Sequence, residues 1–233
     1  MSYVHNLYPR WTYFDIQLEH PDWNDLRVLD FGGNWGNVLR DQNSTINPSS
    51  YTCLDVSESA IQAGRRDFPE ARWVHYDRWN FAYNRTGQKD LPIPDLGQFD
   101  LILAFSVFTH TSVEEMLETV PHLYEMLAPG GRLCLTLLEQ PRMRWFLKQR
   151  QLLYPSLDLE GIMESTKDLP ICYLVNDDEI YTDGLPEYPV KQQKMLISFY
   201  SVAKMIEWFS AYQVDIKPPV NNELQHAVII TKT

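Results

Sequence analysis

The stretch Arg27-Val28-Leu29-Asp30-Phe31-Gly32-Gly33-Asn34-Trp35-Gly36-Asn37-Val38-Leu39-Arg40 reads as a short buried strand, a glycine turn and a helix start. Val28, Leu29 and Phe31 supply a β-prone apolar run around Asp30. Gly32 and Gly33 allow a sharp turn with positive φ, and Asn34 is the next best residue for that conformation. Gly36 lets the backbone approach a ligand, or lets the next helix pack closely on the strand. A helix starting near Gly36 would point free N–H groups and its positive dipole end into the turn. Asp30 places a carboxylate beside it.

Working outward, the 233 residues fit one large domain, and 44% hydrophobic with 22% charged residues is ordinary for a globular chain. The net charge of -11 argues against a nucleic-acid partner or an anionic membrane surface, both of which select basic patches. Met1 to Asn6 has no signal-peptide character, and no apolar run is long enough to span a membrane. Cys53, Cys134 and Cys172 lie far apart without a CxxC pair, two of them inside apolar runs. Buried free thiols in a reducing, cytoplasmic compartment are the expectation.

The rest of the chain alternates strand and helix. The aromatic-rich residues 1–25 are expected to form one helix and a loop, with Tyr8, Trp11 or Tyr13 either stapling the sheet edge or closing over a ligand. Tyr51 to Val56 is a second strand, and Ser57 caps the helix after it. Arg72 to Tyr76 is a third strand ending at Asp77, followed by a long loop over 78–98. Phe99 to Val107 has the continuous apolar character of a central parallel strand. Thr111 with Glu114 forms a candidate capping box for the next helix. Pro129-Gly130-Gly131 stops that helix before a fifth strand, Arg132 to Leu138. Residues 139–199 break the rhythm and show no periodic apolar core of their own. A helix over Ser201 to Ser210 and strands over Tyr212 to Ile216 and Ala227 to Thr231 close the chain.

This order predicts a mostly parallel sheet with right-handed crossovers and helices on both faces. In such sheets ligands bind at the carboxyl ends of the strands. Asp30 with its turn, Asp55, Asp77 and Phe105-Ser106 all fall at strand ends.

Together these stretches resemble the class I S-adenosylmethionine-dependent methyltransferases of small-molecule type. Val28 to Gly36 resembles the first motif, an acid followed by spaced glycines. Asp55 resembles the ribose-binding acid, with Val56 beside it, and Asp77 the acid that meets the adenine amino group. Phe99-Asp100-Leu101-Ile102 resembles the fourth motif and Leu127 to Leu133 the "LkPGG" turn. Ser106-Val107-Phe108-Thr109-His110 resembles a run common in small-molecule members. Asn34 stands where many members carry glycine.

The resemblance implies a Rossmann-like α/β fold with a seven-stranded, mostly parallel sheet. It implies one domain: 1–25 an aromatic N-terminal helix or lid, 26–139 the cofactor core, 140–199 a substrate lid between strands five and six, 200–233 the closing helix and strands. S-adenosylmethionine is the implied cofactor, and Asp30, Gly32, Gly33, Asn34, Gly36, Asp55, Val56, Asp77, Phe105 and Ser106 its candidate contacts. A carboxylate suits a ribose diol, Asp77 can accept from an amine, and Asp30 offers a negative partner to the methionine ammonium. A nicotinamide-binding Rossmann protein would instead show G-x-G-x-x-G directly after the strand. A non-catalytic binding protein on the same fold is the third alternative.

The expected reaction is metal-independent O- or N-methylation of a small molecule. No Asp/Asn-Pro-Pro-aromatic run follows the fourth strand, as it does in methylases of base or amide nitrogens. Ser106 stands near where catechol-type members place a metal-binding acid, and cannot replace it. His110, just past that strand, is the candidate proton acceptor, the alternative being a histidine that packs beside the cofactor. His75 is expected to alternate into the sheet core. Tyr154, Tyr173, Tyr181, Tyr188, Phe199 and Tyr200 are candidates for an aromatic substrate wall, and Asp177-Asp178-Glu179 for a cation contact.

Overall fold

The computed structural model describes residues 9–80, 83–152, 158–175, 179–181, 196–220 and 223–233. Strands β1 (Val28–Phe31), β2 (Tyr51–Asp55), β3 (Arg72–His75) and β4 (Phe99–Ala104) pair in parallel in the order β3-β2-β1-β4. β5 (Leu127–Glu139) follows β4 in parallel. β1 and β2 are buried at every residue, as strands covered on both faces must be. Alternation then splits β4. Leu101 and Leu103 pack toward helix α1 (Arg10–Gln17) and helix α2 (Glu58–Asp67), while Ile102 and Ala104 pack toward α3 (Val113–Glu125) and the last helix.

β5 is where the architecture exceeds the expected seven strands. Its Arg132–Leu138 span pairs antiparallel with β10 (Gln225–Thr231), which pairs antiparallel with β9 (Gln213–Lys217). Those seven strands are the ones foreseen. Past Leu138, β5 changes neighbours and pairs with β8 (Leu196–Tyr200), which carries β6 (Ile171–Val175) and β7 (Glu179–Tyr181) as a second branch. The sheet therefore has ten strands among the described residues.

The three additional strands come from the segment expected to be irregular. With α4 (Met143–Gln151) and α5 (Leu159–Thr166) that segment buries Met143, Leu147, Leu159, Cys172, Leu174, Ile197 and Phe199 in a cluster of its own. Helix α6 (Val202–Phe209), capped by Ser201, returns the chain to the main core.

Three local expectations change. No helix follows the glycine turn: residues 35–40 are turns, with Asn37 N–H to Gly33 and Arg40 N–H to Gly36 as isolated bonds. Asn34 (φ 56°) and Gly36 (φ 88°) interrupt any helical run there. The cap of α3 is Ser112, which accepts from the Glu115 N–H, one residue later than the Thr111–Glu114 box. The Pro-Gly-Gly turn lies inside β5, which starts at Leu127. The three cysteines are free and buried. No helix among the described residues is long and apolar enough to cross a membrane.

Candidate functional site

The carboxyl ends of β1, β2 and β4 open onto a cavity of about 620 Å³. Gly32 (φ 71°) and Asn34 (φ 56°), in the turn after β1, line it with left-handed backbone. Gly33 is needed for closeness instead: a Cβ there would lie 2.5 Å from the Asp30 carboxyl and 2.9 Å from the Cys53 Sγ.

Asp55 ends β2 and faces the cavity. Its Oδ2 accepts from the Asn34 N–H at 2.7 Å and its Oδ1 from the Ser57 N–H at 2.7 Å. Each oxygen keeps a lone pair for a ligand. Burial raises its pKa, and these two backbone bonds act the other way. Val56, Phe105 and Ser106 line the same space, Ser106 at φ 59° with its N–H donating to the Thr136 hydroxyl at 2.8 Å.

Four expected cofactor contacts, Asp30, Gly33, Gly36 and Asp77, stand outside this lining. Asp30 lines only a small adjoining crevice, shared with Arg10 and Gly33, and accepts from the Tyr51 hydroxyl at 2.5 Å. Gly36 packs against the Trp73 ring. Asp77 does not line the cavity; its Oδ1 accepts from the Asn84 side chain at 3.0 Å.

Burial pushes the Asp30 carboxyl up to about 7, against the opposing pull of the Tyr51 bond. Its stabilising contribution is fully present below the unfolded value near 4 and is lost as pH rises through about 7. Asp30→Asn removes that dependence. The stability of the variant relative to the parent is expected to climb by about 1 kcal/mol per pH unit through this window. Urea unfolding at pH 5, 6 and 7 checks it, and a constant difference would contradict the burial of a titrating carboxyl.

His110 lines the cavity, and its Nδ1 lies 2.6 Å from the Leu196 carbonyl of β8. A carbonyl only accepts, so Nδ1 carries the proton and Nε2 is left as a bare acceptor. Burial lowers its pKa, with the Leu196 bond opposing, so the ring is neutral at pH 7. Tyr83 packs edge-on at 5.4 Å. His75 is exposed, not in the sheet core, with a ring nitrogen 3.2 Å from the Val56 carbonyl.

The expected aromatic wall divides. Tyr173, Phe199 and Tyr200 are buried supports: the Tyr173 hydroxyl accepts from the Val113 N–H at 3.1 Å, and the Tyr200 hydroxyl donates to the Phe108 carbonyl at 3.0 Å. Tyr154, Tyr188, Asp177 and Asp178 lie outside the described residues, as do the side chains of Glu179 and Tyr181. Trp79, Tyr83, Trp145 and Phe146 line the cavity instead, with Trp145 47% and Tyr83 62% exposed.

Two further lining residues have no place in the motifs. Arg10, the first residue of α1, lies with its guanidinium 3.9 Å over the Phe105 ring. Asp30 and Glu223 favour its charge, yet neither forms a hydrogen bond or ion pair with it. Glu115 of α3 also faces the cavity, and burial pushes its carboxyl up to about 7. The available signals were an arginine in an aromatic helix and an acid one turn into the helix after His110. Among the described residues, no group of three or more His, Cys, Asp or Glu is placed to hold a metal ion.

Residues 29–133 match the family described as "Methyltransferase domain". Over 137 residues, 56% of this chain, the sequence is 27% identical to the non-reducing polyketide synthase mapC of Penicillium brevicompactum, of which it covers only 5%. A SAM-dependent methyltransferase from Methanosarcina mazei superposes with a TM-score of 0.53 at 14% identity, over 97% of this chain and 98% of that one. The glycopeptide N-methyltransferase MtfA, solved with S-adenosyl-L-homocysteine, gives 0.55 at 11% identity, over 96% and 89%. The family match spans the glycine turn, Asp55 and β4, and the fold likeness extends over nearly all the chain. The chain therefore shares the Rossmann-like α/β fold of these methyltransferases, and its residues 29–133 are similar to the methyltransferase domain family.

Proposed function

We propose that the protein transfers a methyl group from S-adenosylmethionine to a small-molecule oxygen or nitrogen acceptor without a metal ion. The observation that carries this is Asp55: a half-satisfied carboxylate, fixed by two backbone N–H groups, facing a cavity floored by the glycine turn. That is the pair of acceptors a ribose diol needs. Arg10, which bonds no acceptor among the described residues, supplies a cation beside the turn, suited to the carboxylate of the methionine part. When bound, the cofactor supplies an electrophilic methyl group on a sulfonium. The chain's own residues align the acceptor, exclude water and, through His110 Nε2, take a proton from it.

Trp79, Tyr83, Trp145 and Phe146 support an apolar or aromatic acceptor. The net charge of -11 supports an acceptor other than nucleic acid. MtfA, an N-methyltransferase of a glycopeptide, and the polyketide synthase relative are in keeping with a small-molecule acceptor.

Calorimetry with S-adenosylmethionine and S-adenosylhomocysteine tests the reading, and no binding of either at millimolar concentration would sink it. Asp55→Ala is expected to weaken both ligands by about 1.5–3 kcal/mol, the worth of a charged hydrogen-bond acceptor. Unchanged affinity would place the ribose elsewhere.

A further inference from the structure

Tyr76, Arg78, Glu115 and Thr119 also line the cavity, as a polar chamber wall on the β3 side. Tyr76 and Arg78 directly follow β3 in sequence, and the Tyr76 N–H donates to the Asp55 carbonyl at 2.9 Å. The chamber therefore adjoins the carboxyl ends of β2 and β3. A base on a ribose held by Asp55 would have this wall beside it.

The polar groups of this chamber are mostly committed. Arg78 grips both carboxylate oxygens of Glu118 at 2.7 and 3.2 Å and donates to the Leu91 carbonyl at 3.0 Å. The Tyr76 hydroxyl donates to Leu91 as well, at 2.6 Å. That clamp ties the loop after β3 to the solvent side of α3. Glu115 and Thr119, one helical turn apart, line the cavity from the same helix.

The Glu115 carboxyl makes no hydrogen bond among the described residues. Among the described residues the cation that acts on it is Arg78, which Glu118 already holds. A largely buried carboxyl without a hydrogen-bond partner is costly, and a ligand donor removes that cost. Asp77, by contrast, is turned away onto Asn84.

We propose, building on the cofactor reading above, that Glu115 and not Asp77 accepts the hydrogen bond from the adenine amino group, making α3 the base-reading element. Either protonation state of the carboxyl keeps an acceptor oxygen for the amine. The protonated state, favoured by the burial that raises its pKa to about 7, also has a proton to donate to a ring nitrogen.

The experiment compares S-adenosylhomocysteine with its 6-oxo analogue, which carries hypoxanthine in place of adenine. Affinities are measured calorimetrically for the parent protein, Glu115→Gln, Glu115→Ala and Asp77→Asn, with thermal unfolding to confirm folding. Above pH 8, where the Glu115 carboxyl is ionised, the parent is expected to prefer the amino ligand by at least about tenfold, because the oxo group sets two acceptors against each other. Glu115→Ala is expected to lose most of that preference. Glu115→Gln, which can also donate to the oxo group, is expected to lose it or reverse it. Asp77→Asn is expected to keep it. A preference that survives both Glu115 variants, or collapses in Asp77→Asn, overturns the assignment. So does equal binding of both ligands by the parent, which would leave the cofactor reading standing. Binding of neither ligand overturns both.

Discussion

His110→Ala is expected to lower turnover of a hydroxyl acceptor by about 10²–10⁴-fold while S-adenosylhomocysteine affinity stays within about twofold. The reason is the state of the ring. Its Nδ1 proton is held by the Leu196 carbonyl at 2.6 Å, and burial keeps it neutral, so Nε2 is a base at working pH. A neutral amine attacks through its own lone pair and needs no base beforehand, so an amine acceptor should lose far less. Turnover and ligand affinity measured together separate the roles. An affinity loss equal to the rate loss would make His110 a packing neighbour of the cofactor. The pH profile adds a second readout: activity on a hydroxyl should rise with the titration of a group below the ordinary histidine range and disappear as a step in the variant. His110→Gln offers an amide N–H to Leu196 without a basic nitrogen, and guards against loosened β8 packing as the cause.

The central sheet was legible because its information is local. Short, largely apolar runs in β1, β2 and β4, each followed by a turn or a capped helix, leave few arrangements other than parallel strands covered on both faces. Asp55 and the Gly32–Asn34 turn were legible for the same reason: each lies at the end of such a run. The second branch of the sheet was not. β8 meets β5 across more than fifty residues of sequence, and its only parallel register involves Leu138 with Phe199 and Glu139 with Tyr200. No periodicity signals a pairing that short. Side-chain direction was equally hidden. Whether Asp77 turns into the cavity depends on Asn84, seven residues downstream in an irregular loop. The helix expected from about Gly36 failed because Gly36 itself has positive φ and Asn34, two residues before it, does too.

Arg10 turns this distribution of charge into a trade between stability and binding. Its guanidinium is largely buried, stacked 3.9 Å over Phe105, and bonded to no acceptor among the described residues. Burial accordingly holds its pKa below the ordinary arginine value, with Glu223, Asp30 and Tyr83 opposing. A cation kept in that condition weakens the free protein and strengthens any complex that brings it an anion. Arg10→Met keeps an unbranched chain to pack on Phe105 and removes the charge. The variant is expected to bind S-adenosylhomocysteine roughly 10- to 100-fold more weakly, about 1.5–3 kcal/mol, the worth of a charge-assisted hydrogen bond. Methylthioadenosine has the same nucleoside but no amino-acid carboxylate, so its affinity should stay unchanged. The ligand-free variant should unfold at the same temperature as the parent or higher, since nothing bonded is lost. Equal weakening of both ligands would show that Arg10 shapes the pocket and does not receive the carboxylate. A lower unfolding temperature would show that the guanidinium is already satisfied in the free protein.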